Sequence, residues 1–156
     1  MIALRNKVDK LLIAVCIFLL AAMTALVVYQ VVARYFFGSP SAISEVLARY
    51  LFVWLILICS AFVFGKKEHM NIAFLKDKLR EPGRTFCNVA SEIVICLFAL
   101  FVLVVGGILC TGPQFVQLDS ALQIPMGVFY LMIPVSGAFT VFYSITNIIQ
   151  YLREEK

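Results

Sequence analysis

Charge is what this sequence has least of. Only 14% of its 156 residues are Asp, Glu, Lys or Arg, while 63% are hydrophobic and the mean hydropathy is +0.99. A soluble domain averages about a quarter charged and about half apolar. The length allows one domain, but so few polar side chains cannot cover a water-facing surface. A soluble globular protein is therefore excluded, and the bilayer is the expected solvent.

The groups that carry chemistry are just as scarce. There is one histidine, His69, which alone cannot make a two-histidine haem site or a multi-histidine zinc site. The five cysteines (Cys16, Cys59, Cys87, Cys96 and Cys110) include no C-x-x-C pair, and their odd number gives no disulfide framework. Buried thiols of this kind behave as small apolar residues, and a thiol oxidase is excluded. No cofactor, no metal and no enzymatic activity are expected. Glu92 is the one acid inside an apolar span, about a turn from its end. A proton-coupled pump would want its carboxylate deeper, where burial raises its pKa. Broken helices at mid-membrane, the mark of many self-sufficient transporters, have weak candidates only in Gly106-Gly107 and Pro134.

What is present in quantity is apolar length. Four stretches reach the roughly 20 residues a membrane span requires: about 11–33, 46–64, 89–110 and 126–149. The first follows Arg5, Lys7 and Lys10, as a secretory signal would. It is longer than the roughly 7–15 residues of a signal's apolar region, so it reads as a retained helix. Lys and Arg then set the orientation. Eleven lie in the N-terminal flank, the 65–88 loop and the C-terminal tail, against only Arg34 and Arg49 in the other two connections. Both termini are therefore expected in the cytoplasm (N-in and C-in). The net charge of +4 is a topology signal and implies no nucleic acid. The fold class is an all-α membrane protein: four transmembrane helices with short amphipathic interfacial helices, forming one integral membrane domain over 1–156.

The connections carry the remaining polar residues. Ser39-Pro40 is a favourable helix start, and a helix from there to Phe64 would run roughly 37 Å, longer than the hydrocarbon core. Glu45 and Arg49 stand four apart with the acid first, the stabilising order for a helical pair. Two readings stay open: a solvated interfacial pair worth little, or a charged contact with another subunit. Ile43, Val46, Leu47, Tyr50 and Leu51 form an apolar stripe beside them. In the 65–88 loop, Asn71 can cap an amphipathic helix over about 72–80, with Ile72, Leu75 and Leu79 on one face and basic residues on another, suited to anionic lipid. Glu81-Pro82-Gly83-Arg84 is expected to end it. A second amphipathic helix is expected over about 112–125, from the spacing of Phe115, Leu118 and Leu122 with Gln114, Gln117 and Asp119 polar. Pro134 is expected to kink the last span.

Spans, interfacial helices and charged shoulders without a substrate site describe an accessory subunit. The stretch VVARYFFGSPSAISEVLARYLFVW followed by GKKEHMNIAFL, with LQIPMGVFYLMIP at 122–134, resembles the small membrane subunit of tripartite ATP-independent periplasmic (TRAP) transporters, the DctQ-like family. The matching residues are Arg34-Tyr35, Ser44-Glu45, Arg49-Tyr50, Trp54 and Glu68-His69, then an Ile-Pro, a Tyr and a Pro in order. Where the family carries a tryptophan before Ser-Glu, this chain has Ala42-Ile43.

The resemblance implies a bacterial inner-membrane protein that takes part in sodium-coupled import of an organic acid, sialic acid or a C4-dicarboxylate. Its partners would be a large elevator-type membrane subunit on a separate chain, a periplasmic substrate-binding protein and membrane lipids. The small subunit would brace the large one. Candidate partner-interface residues are Arg34, Glu45, Arg49, Tyr50, Trp54, His69 and Asp119. The alternative is a self-sufficient four-helix small transporter or drug pump.

Overall fold

The computed structural model describes residues 2–36, 38, 42–66 and 81–154, and within these the side chains of 5–36, 38, 42–66 and 87–151. Among the described residues all regular structure is helical, apart from one isolated antiparallel bridge between Leu118 and Pro125. A bilayer offers no water to unpaired backbone groups, so apolar runs this long must close their hydrogen bonds within themselves. They do so as α1 (Ile2–Phe36), α2 (Ala42–Gly65), and a third rod built from α3 (Glu81–Phe98), a π-helical segment (Ala99–Gly106) and α4 (Gly107–Gln114). A short α5 (Gly127–Tyr130) then leads into α6 (Met132–Glu154). Four stretches are long and apolar enough to cross a membrane: Arg5–Phe36, Ala42–Gly65, Cys87–Gln114 and Gly127–Tyr151. The all-helical, four-span class expected from the sequence is what forms.

Packing runs in a row. α1 lies chiefly against α2, α2 against α6, and α6 against α3 and the π segment. The last span is the hub: 28% of an 18-residue apolar stretch of it is buried, against 11% of the corresponding stretch in each of the others. Leu12 and Leu19 of α1, Ile58 of α2 and Tyr143 of α6 form the buried centre, with Cys16, Trp54, Leu55, Phe62 and Phe139 packed around them. Close approach depends on a small residue: a Cβ on Gly137 of α6 would stand 2.6 Å from Leu103 Cβ in the π segment.

Several expectations need revision. The helix expected over 112–125 does not form; α4 stops at Gln114, and residues 115–126 make a loop. The Asp119 carboxylate takes the amides of Ala121 and Leu122, a local alternative that competes with helix. Gln123 then adopts a left-handed φ of 54°, and Pro125 has no N–H to continue a ladder. At the other end, Glu81-Pro82-Gly83-Arg84 forms the first turn of α3, where a proline removes an N–H that would be unpaired anyway; the helix it was expected to end lies outside the described residues. Pro134 does interrupt its span, between α5 and α6 at Leu131. Gly106-Gly107 marks the return from π to α geometry, and Gly107 lies against the Pro134 ring. The helix expected over 72–80, the start at Ser39-Pro40, and His69 fall outside the described residues.

Candidate functional site

The ends of the helices differ in chemistry. One end carries the α1–α2 connection and the 115–126 loop (the connection end); the other carries the start of α1, the end of α2 and the end of α6 (the terminal end). At the connection end, Tyr50 projects from α2 and donates its hydroxyl to Asp119 Oδ2 at 2.8 Å. Its ring stacks on Phe129 of α5, with centroids 3.7 Å apart and planes 6° from parallel. One turn along, Trp54 Nε1 donates to the Phe129 carbonyl at 3.0 Å. The break at Leu131 (where Pro134 removes the donor that would continue the helix) leaves Phe129 in a short separate turn that can face α2.

Asp119 is 5% exposed and carries no ion pair among the described residues; it is held by donors alone. Oδ1 accepts the Ala121 amide at 2.9 Å and the Leu122 amide at 3.1 Å, and Oδ2 accepts the Tyr50 hydroxyl. The backbone closes the loop around it: Asp119 N donates to Ile124 O, Gln123 N to Asp119 O and Met126 N to Gln117 O. The Leu122 and Ala121 amides, and after them the Tyr50 hydroxyl, stabilise the anion and hold its carboxyl below the usual Asp range.

Three of the seven candidate residues are thus joined: Tyr50, Trp54 and Asp119. Glu45 and Arg49 pair with each other, Nη2 to Oε1 at 3.3 Å, with side chains 62% and 68% exposed. Arg34 is exposed at the end of α1 beside Tyr35 and Phe36, which are 80% and 83% exposed. His69 is outside the described residues.

The terminal end holds a network that sequence reasoning did not assemble. Tyr143 of α6, wholly buried, donates its hydroxyl to Asp9 Oδ1 of α1. Arg5 reaches the Gly65 carbonyl at the end of α2 and Gln150 Oε1 on α6, the latter at 3.3 Å. Gly65 packs flat on Tyr143, where a Cβ would meet ring carbons at 2.6 Å. Asn147, also wholly buried, donates Nδ2 to Glu92 Oε1 at 3.0 Å. Glu92, placed by the sequence about a turn inside the end of its span, is 9% exposed, because α6 lies over it. A signal for this end was available: Ser136, Thr140, Ser144 and Asn147 recur at helical spacing in an apolar span, and all are buried. Ser136 and Thr140 bond back to their own helix, so Tyr143 and Asn147 supply the links between helices. Among the described residues no group of three or more His, Cys, Asp or Glu is placed to hold a metal ion.

What this arrangement does is hold helices together at both ends. Residues 23–154 match the family described as tripartite ATP-independent periplasmic transporters, DctQ component. The chain belongs to the DctQ family. It is similar to the sialic acid TRAP transporter small permease protein SiaQ of Vibrio cholerae, with 28% identity over 155 residues, covering 96% of this chain and 86% of that one. A putative TRAP transporter small permease protein of Haemophilus influenzae is 27% identical over 147 residues, covering 94% and 91%. A shorter match, 32% over 82 residues, covers 51% of this chain and 13% of the sialic acid TRAP transporter permease protein SiaT of Haemophilus influenzae. This DctQ protein is thus a small permease subunit of a TRAP transporter, a family of transport components.

Proposed function

We propose that this subunit is a brace: it holds the stationary part of a large, elevator-type permease chain during sodium-coupled uptake of an organic acid, with sialic acid ahead of C4-dicarboxylates. The observation that carries this is the double fastening. Tyr50–Asp119–Phe129–Trp54 ties α2 to α5 at one end, and Tyr143–Asp9 with Arg5 ties α1, α2 and α6 at the other. Helices pinned at both ends suit a fixed platform. The short match to a much longer SiaT chain supports a large partner, and the SiaQ relative supports sialic acid as substrate class.

The Lys and Arg distribution supports an inner-membrane protein with both termini in the cytoplasm, which makes the connection end periplasmic. Arg34, Glu45 and Arg49 then stand where a periplasmic substrate-binding protein or the outer rim of the large chain would meet them. A thiol introduced by Ser41→Cys should react with an impermeant label on intact cells; its protection would reverse the orientation. The function itself is tested by affinity capture through a tag after Lys156. Recovery of a large polytopic chain, with proteoliposome uptake only when that chain and a binding protein are both present, is the expected result. Uptake by this chain alone would overturn the brace and favour a self-sufficient small transporter, with Glu92 the first residue to mutate.

A further inference from the structure

The cysteines show no pairing motif in sequence, but the fold brings two of them together. Cys16 of α1 and Cys59 of α2 lie 43 positions apart, with their sulfurs 3.3 Å from each other. Both are half-buried beside the apolar centre, Cys16 packing directly against it. The other thiols, Cys87, Cys96 and Cys110, form no such pair among the described residues. A sulfur already touching its partner reacts as an intramolecular neighbour, which favours bond formation over diffusional competitors. The surroundings also decide which reagent can reach it: an apolar environment excludes charged oxidants.

We propose that Cys16 and Cys59 form an oxidation site, converted to an α1–α2 disulfide by a neutral, membrane-permeant two-electron oxidant of the hypohalous acid class. With hypochlorous acid, one thiol takes the chlorine to give a sulfenyl chloride and releases water. The second sulfur attacks the first, chloride leaves, and the second thiol's proton leaves with it. Two S–H bonds and the O–Cl bond are broken and one S–S bond is made; each sulfur is oxidised by one electron, and chlorine is reduced to chloride. Cys16 packs beside Leu12 and Leu19 at the seam between α1 and α2. α1 lies chiefly against α2, so the bond fixes the outermost helix of the row to its main neighbour. This inference does not depend on the brace.

The test uses the purified full chain in mild detergent with a small molar excess of hypochlorous acid, quenched with free methionine, then denatured and labelled with a maleimide of added mass. Labelled thiols should fall from five to three, return to five after dithiothreitol, and yield a Cys16–Cys59 linked peptide in a non-reducing map. Cys16→Ser and Cys59→Ser should each give no linked peptide after the same treatment, because a sulfenyl chloride left without its partner sulfur can only hydrolyse. Five labelled thiols in the oxidised wild type would overturn the proposal. So would loss that dithiothreitol does not restore, or a link through any other pair. The wild-type readouts decide the matter even if a serine variant folds poorly.

Discussion

Each end of the molecule is closed by a tyrosine hydroxyl on an aspartate, Tyr50 on Asp119 and Tyr143 on Asp9, but the settings are opposite. At the connection end the carboxylate is satisfied by neutral donors, two amides from its own loop and the Tyr50 hydroxyl from α2, whose ring stacks on Phe129. At the terminal end the charged groups, Arg5 and Asp9, both come from α1 and reach α2 and α6 around a wholly buried ring. There, Asn147 Oδ1 is buried without a donor among the described residues. A loop can shape itself around a carboxylate; helices packed in lipid can only offer the side chains their register allows. The connection end should therefore answer mainly to local changes and to pH. The terminal end should answer to packing.

Tyr143→Ala should have the largest effect. The wild-type side chain is 0% exposed and touches α1, α2 and α6, so truncation leaves a cavity at their junction. The expected loss is about 3 kcal/mol, the low end for truncating a large core aromatic, because association within a bilayer rests on packing and not on water exclusion. Tyr143→Phe sharpens the point: it keeps the volume and removes only the Asp9 bond, for about 0.6 kcal/mol. Unfolding midpoints in mixed micelles separate the two. Equal losses would mean that the hydroxyl, not the ring, holds this end.

Next is the acid limb of the connection end. Because Asp119 is held below the usual carboxylate range when folded, its contribution is fully present above the unfolded value of about 3.9. That contribution is lost as pH falls from there through the lowered folded value. Thermal midpoints should drop across that window in the wild type and stay flatter in Asp119→Asn, whose own midpoint at pH 7 should lie below the wild type's. An acid limb unchanged in the variant would mean that other carboxylates set it.

Tyr50→Phe should cost less, about 1.5 kcal/mol, the low end for one hydrogen bond to a charged acceptor, because Asp119 keeps its two amide donors. The stack on Phe129 should survive. A loss as large as that of Tyr143→Ala would erase the contrast between the ends.

How much of this was legible follows the same division. The four spans were, since unbroken apolar length in a chain this poor in charge leaves few alternatives. Tyr50, Trp54 and Asp119 were each marked as candidates, yet their union was not, because nothing local ties position 50 to position 119. The loop at 115–126 misled because Phe115, Leu118 and Leu122 keep helical spacing while Asp119 takes the amides a helix would need. The burial of Glu92 was hidden for a different reason. Its distance from the span end placed it near the interface, but depth along a helix says nothing about which face a neighbour covers.

The smallest effect on stability belongs to the exposed ion pair of α2. Glu45 and Arg49 are both more than half exposed at 3.3 Å, and such a pair contributes a few tenths of a kcal/mol at most. Arg49→Leu should leave the unfolding midpoint of the isolated chain nearly unchanged. A side chain that does little for its own fold is free to serve a partner, so the informative measurement is made on the assembled transporter. Reduced recovery of the large chain, or a raised concentration of binding protein for half-maximal uptake, would assign Arg49 to one or the other contact. Normal assembly and uptake would leave it a solvated surface pair, and the partner surface would then have to be sought around Arg34, Tyr35 and Phe36 at the end of α1.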